Sequence, residues 1–339
     1  MQRVELPIVF PPKTLHQFYA LPLSIIMTNP ESWSWYYSQF MQLHTFRDDA
    51  ENIMLRLYNI GGNYEYAPLE QIKAESDRVK LGEDIINLIK IMLRNGYYTY
   101  VFCDIFHLKA LQIDKHNIHD ILIYSYDDAK EEFGAFAYVG TKLGRFTLAY
   151  SEFYNAYYSS FTDGSDRLSF YRMRQDVSNM FDLERVKWHM LDYIEGVDTL
   201  ARENPYSGGM HKARWGVDIY DELMNMYKFD WDKWGSFAIP ETYCLLEHKI
   251  DHVKRMKYLQ DRSLLFYTED QLQMFEQLES TAKILVNLLL KANAMSFKSP
   301  DVKDHTLEKI SKVLYKMKAT EITAFESYFK TNSSVFGVR

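Results

Sequence analysis

Cysteine is nearly absent from this chain: its 339 residues include only Cys103 and Cys244. They stand far apart and neither has a CxxC partner, so neither a disulfide framework nor a thiolate zinc site is expected. Long apolar runs are missing too. The nearest approach, within "KILVNLLLKA", is broken by Asn287 and falls far short of the roughly 20 residues that span a bilayer. The opening "MQRVELPIVFPP" has no leader-type apolar region and no cleavage pattern. A cytoplasmic protein with no membrane partner is expected. Positive charge is in deficit, with 39 Lys and Arg against 46 Asp and Glu, and no basic run occurs. A nucleic-acid partner, which needs concentrated positive potential, is excluded. The glycines of "SGGMHKARWGVD" lack phosphate-loop spacing and no strand precedes them, which excludes a nucleotide site.

Aromatic residues, in contrast, are abundant, with 26 Tyr and 21 Phe. Tyrosine at that level suggests surfaces and cavities that are apolar in body and hydrogen-bonding at the tip. With 47% hydrophobic and 25% charged residues the chain can pack a sizeable core. Its length admits one large domain or two ordinary ones.

Periodicity divides the chain in two. Residues 1 to about 160 read as mixed α and β. "TLHQFYALPLSIIMTN" and "PESWSWYYSQFMQLH" look like short aromatic helices. "LGEDIINLIKIMLRNG" predicts a helix with the stripe Leu81, Ile85, Leu88, Met92 and a stop at Gly96. Four strand candidates follow, "YYTYVFCDIF", "HDILIYSY", "EFGAFAYV" and "RFTLAY", and the short helix "SEFYNAYYSS" ends the unit. Residues 161–339 read as nearly all helix. Asp182 can cap a helix carrying Leu183, Val186, Met190 and Ile194, with Gly196 at its end. A later helix carries Leu246, Ile250, Val253 and Met256 on one face, and Thr268 with Gln271 forms a capping box for the next. The expected fold class is therefore α+β, with an antiparallel sheet followed by an all-α region.

Three groups of residues could carry chemistry. His119 opens an apolar strand that runs to Tyr124, and a sheet can hold a histidine rigidly enough to act as a general base. Asp104, at the end of the preceding strand, is the candidate for orienting the ring. On "EHKIDHVKR", His248 and His252 have the i, i+4 spacing of a shared metal. No third ligand is evident, so they read better as a solvated or partner-facing face and no metal or cofactor is expected. Glu247, His248 and Arg255 could instead line a substrate cavity. In "WSWYYSQF", Trp33 could belong to an aromatic wall for a ligand, although packing of the cluster on a sheet is the commoner arrangement.

"GYYTYVFCDIFHL", followed by "HNIHDILIYSYDD" and a Phe/Tyr-rich hairpin, resembles the butirosin-biosynthesis H family and its C39-peptidase-like relatives, over roughly residues 12 to 160. The resemblance implies a papain-like, cysteine-peptidase-like N-terminal domain. It also implies a place in bacterial antibiotic or nonribosomal-peptide biosynthesis. The activity it implies is acyltransferase-like or hydrolase-like, on an amine or on an acyl or peptidyl group held by a carrier protein. His119 matches the family's catalytic histidine. The family's nucleophilic cysteine would lie at the start of the first helix, where this chain reads "HQFYALPLSII" with Tyr19 or Phe18 in the approximate place. Where a third catalytic Asp or Asn is expected stand Val139 or Gly140. The candidate site comprises His119 and Asp104 for catalysis, with Tyr19, Trp33, Tyr124, Glu247, His248 and Arg255 toward substrate. The alternative is an inactive relative that binds a ligand or a carrier protein, with a homodimer left open.

Overall fold

The structure is a computed structural model describing residues 2–47, 53–58, 66–75, 84–159, 167–177, 180–204, 206, 212–229, 231–295 and 300–337. It forms two compact units, one of residues 1–33 and 61–180, the other of 34–60 and 181–339.

The first unit is built on a seven-stranded antiparallel sheet in the order β4-β9-β5-β6-β7-β8. These strands are β4 (Leu69–Glu75), β5 (Tyr98–Asp104), β6 (Ile118–Asp127), β7 (Glu132–Val139), β8 (Lys142–Ala149) and β9 (Arg167–Met173). The short β1 (Arg3–Glu5) pairs with β6 at Ser125 to Asp127, beyond the reach of β5, which pairs with β6 only as far as Ile123. The division expected near residue 160 is corrected here. β9 lies beyond that point, yet it pairs along the whole of β4 and with β5 and so completes this sheet.

Side-chain alternation gives the sheet two covered faces. Val101, Cys103, Ile121, Ile123 and Ala135 pack with Ile85, Ile89 and Leu93 of α3 (Ile85–Arg94) and Phe153, Ala156 and Tyr157 of α4 (Tyr150–Ser159). The opposite face, with Tyr100, Asp120 and Leu122, meets α1 (Gln17–Ile26). α3 begins at Asp84, whose carboxylate accepts from the N–H groups of Ile86 and Asn87, and Gly96 ends it at φ +80°. Its buried stripe is Ile85, Ile89 and Leu93, with Leu88 and Met92 at the flank. Residue 81 lies outside the described residues.

The second unit holds a hairpin, β2 (Leu43–Arg47) with β3 (Ile53–Leu57), and a set of helices. These are α5 (Leu183–Glu195), α6 (Thr199–Glu203), α7 (Ile219–Phe229), α8 (Trp231–Asp261), α9 (Glu269–Met295), α10 (Pro300–Thr331) and α11 (Ser333–Phe336). α8 packs on α9, α9 on α10, and β3 on α8. Asp182 and Gly196 bound α5 as expected, and Thr268 and Gln271 exchange the two bonds of a capping box. The aromatic segment departs from expectation: α2 covers only Ser32–Tyr37, after which Phe40 takes a left-handed φ of +54° and the chain runs into β2. α8 departs more sharply. His248 and His252, expected on a solvated or partner-facing face, are buried, as are Lys249, Asp251 and Arg255, whereas Leu246 and Ile250 are only half-buried. Among the described residues, no helix is long and apolar enough to cross a membrane.

Candidate functional site

The N-terminus of α1 and the start of β6 meet at a cleft of about 280 Å³ in the first unit. Leu15, His16, Gln17, Phe18, His119 and Tyr138 are among its lining residues. β6 sets the position of His119, whose backbone lies opposite Cys103 of β5. Its ring folds back over its own strand, so that Nδ1 is 3.0 Å from the backbone N of Asp120 and 2.6 Å from Asp120 Oδ1. Consecutive strand residues ordinarily face opposite sides of a sheet, and this fold-back at the strand's start is what joins the two. Gln17, the first residue of α1, closes the arrangement. Its Nε2 donates to Asp120 Oδ1 at 3.0 Å and to the Asp120 carbonyl at 3.1 Å, and its Oε1 accepts from Tyr138 N–H at 2.8 Å. The Tyr100 hydroxyl donates to the other carboxylate oxygen of Asp120.

Nδ1 meets two kinds of group, the Asp120 N–H and the Gln17 carboxamide nitrogen as donors and the Asp120 carboxylate as acceptor. In the tautomer with the proton on Nδ1, donated to that carboxylate, Nε2 carries the lone pair. Among the described residues, the polar contacts of the ring with Gln17 and Asp120 run through Nδ1. The hydrogen bond to Asp120 raises the His119 pKa above the ordinary histidine value, outweighing the burial that opposes it. The side chain is 46% exposed, open enough to meet a ligand in the cleft. α1 has no side-chain N-cap and no acidic residue in its first turn, so the positive end of its dipole is unopposed by its own side chains.

Several expected site residues stand elsewhere. Asp104 is not the orienter of His119. It lies opposite Ile118, one step out of register with His119, and its carboxylate faces His116 at 2.5 Å. Asp120 takes the orienting place instead. The residue that meets His119 from the start of α1 is Gln17, rather than Tyr19 or Phe18. Tyr19 is buried against His16 and Phe18. Tyr124 is buried five residues along β6, with the Arg145 guanidinium over its ring, about 16 Å from His119 at strand rise. Trp33 is half-buried and does not line the cleft. His248 and Arg255 are buried in the second unit, where His248 Nε2 contacts the Met41 carbonyl at 2.7 Å and Arg255 donates to the carbonyls of Tyr37 and Gln39. The half-buried Glu247 belongs to that unit as well.

Gln17, Asp120 and Tyr100 escaped sequence reasoning. The "HD" pair was visible, but period-two alternation argues against using both residues at one site. Neither the family models nor the curated proteins contain a match to this chain.

Proposed function

We propose that the first unit is a papain-like domain of the butirosin-H kind whose thiol nucleophile has been replaced, and that it catalyses direct acyl transfer to an amine. What supports this is the contact of His119 Nδ1 with Asp120 Oδ1 at 2.6 Å, at the edge of an open cleft headed by an uncapped helix N-terminus. His119 Nε2 removes a proton from the attacking amine as its nitrogen bonds to a thioester carbonyl carbon. Negative charge gathers on the carbonyl oxygen, where the first turn of α1 favours it. The C–S bond then breaks and the imidazolium returns its proton to the leaving thiolate, giving an amide and a free thiol. No covalent enzyme intermediate is needed. The substrate class is an acyl or peptidyl group on a carrier protein together with a small amine, in bacterial antibiotic or nonribosomal-peptide biosynthesis.

The test supplies an acyl thioester of N-acetylcysteamine with a panel of amines and reads thiol release and amide formation. His119→Gln is expected to lower the rate by about 10²–10⁴-fold, the usual contribution of a positioned base. The melting temperature should stay near that of the parent, because Asp120 retains Tyr100 and Gln17 as partners. An undiminished rate in that variant would refute the reading. One observation favours a second reading, ligand binding without turnover: the Gln17 carboxamide stands 2.6 Å from the imidazole at the start of α1. That reading predicts saturable binding of the thioester or its amide product, weakened by His119→Gln, with no turnover in either protein.

A further inference from the structure

A second cluster of ligating side chains lies outside the His119 cleft, where β5 ends and the chain returns to β6. Asp104, His107 and His116 bring one carboxylate oxygen and two imidazole nitrogens together, all within 4.8 Å of one another. Two features of the backbone produce this. Asp104 caps the helical turn Ile105–His107, accepting from Phe106 N–H, and the i, i+3 spacing brings His107 Nε2 to 3.7 Å from Asp104 Oδ2. The return segment is pinned at its far end, where Asn117 N–H donates to Asp104 Oδ1 at 3.1 Å and Ile105 N–H donates to the Asn117 carbonyl at 2.9 Å. His116, next in the chain, is thereby placed with Nδ1 2.5 Å from Asp104 Oδ2.

The two carboxylate oxygens have separate tasks. Oδ1 accepts two backbone N–H groups, which fix the plane of the group. Oδ2 faces both imidazoles, with the Ser159 hydroxyl donating to it at 3.3 Å. Outer partners that orient a ligating carboxylate are a regular feature of metal centres. Exposure rises outward through the cluster, from 3% for the Asp104 side chain to 28% for His107 and 70% for His116. An ion could therefore enter from solvent onto a fixed, buried anion and be closed over by an exposed imidazole.

We propose that Asp104, His107 and His116 bind one divalent transition-metal ion, with zinc the best match, leaving a further coordination position to water. Two imidazoles and a carboxylate suit zinc and its neighbours, whereas calcium and magnesium take oxygen ligands. Donors about 2.0–2.2 Å from a tetrahedral ion stand roughly 3.3–3.5 Å apart. His116 Nδ1 must move out by about 1 Å to reach that spacing, and at 70% exposure its side chain is free to move. The ion replaces the proton now shared between His116 Nδ1 and Asp104 Oδ2. The site is independent of the acyl-transfer reading and involves neither His248 nor His252.

The test uses the full chain, stripped with chelator and titrated with zinc chloride by calorimetry. Cobalt chloride in a parallel titration gives visible absorption as a report of ligand geometry. One ion per chain is expected. His116→Ala and His107→Ala should each weaken binding at least about tenfold, and together abolish both the zinc heat and the cobalt bands. Both residues have exposed surface and neither belongs to the core, so the variants should fold, which a far-UV spectrum checks. Absence of binding at tens of micromolar zinc would overturn the proposal. So would one equivalent still bound by the correctly folded double variant.

Discussion

At the scale of single residues, the cleft and the buried thiol give opposite expectations about reactivity. Cys103 has no exposed surface, and burial beside Asp104 and Asp120 pushes its thiol well above the ordinary range. The thiolate is the reactive form, so Cys103 should resist iodoacetamide until the protein is denatured. Gln17→Cys should behave differently: it installs a thiol at the first turn of α1, beside an imidazole whose pKa is raised. Helix N-termini and neighbouring imidazolium both lower thiol pKa values, so the variant should label at neutral pH while Cys103 does not. Equal labelling of the variant and the parent would show that the start of α1 does not present its side chain to the cleft. The same pairing sets the pH dependence of the base. The hydrogen bond to Asp120 raises the folded-state pKa of His119, so the unprotonated base accumulates at higher pH than for an ordinary histidine. Acyl transfer should rise with pH as His119 loses its proton, and Asp120→Asn should move the rise to lower pH. An unmoved profile would separate Asp120 from the titration.

At the scale of elements, local signals were legible and distant partners were not. β5, β6, β7, β8 and α4 were read nearly to their ends, because tight connections and apolar runs lie within a few residues of each other. β9 and β4 were missed, since each is a strand only by virtue of a partner about a hundred residues away. α8 shows the same limit in its side chains. Two histidines at i, i+4 read as a wet face, yet both are buried, and beside them Lys249 finds Glu321 of α10 and Arg255 finds the carbonyls of Tyr37 and Gln39. The Lys249–Glu321 pair is almost wholly removed from solvent, and Tyr193 and Tyr220 donate to the same carboxylate. Breaking a buried pair from one side strands the other charge, at about 3–5 kcal/mol. Glu321→Leu should therefore lower the unfolding free energy by about that amount, and adding Lys249→Met should restore most of it. If denaturant titration finds the single variant within about 1 kcal/mol of the parent, Lys249 has reached water or another acceptor.

At the scale of the whole molecule, two buried groups tie stability to pH in opposite directions. Desolvation lowers the His44 pKa to about 4, while burial that outweighs nearby Arg56 raises that of Glu241 to about 7. His44 is neutral in the folded state where the unfolded chain is protonated, so its contribution is complete above about pH 6.5 and is lost as pH falls toward 4. Glu241 is protonated in the folded state where the unfolded chain is ionised. Its contribution is complete below about pH 4.5 and is lost as pH rises through 7. Each spans roughly 3 kcal/mol at most, and between pH 4.5 and 6.5 they offset one another. Stability from these two groups should thus be nearly flat across that interval in the parent, and single substitutions should expose the slopes. With Glu241→Gln, which can still accept from Leu55 N–H, stability should climb with pH. His44→Phe keeps a ring beside Trp215, and there stability should fall. Urea midpoints at half-unit steps decide this, taken at low protein concentration because the isoelectric point near 5.8 lies inside the window. Parallel profiles for parent and both variants would mean that neither group keeps its buried environment when charged. Opposed slopes would locate the pH response of the second unit at the junction of its hairpin with α8, where Glu241 meets Leu55 and Arg56.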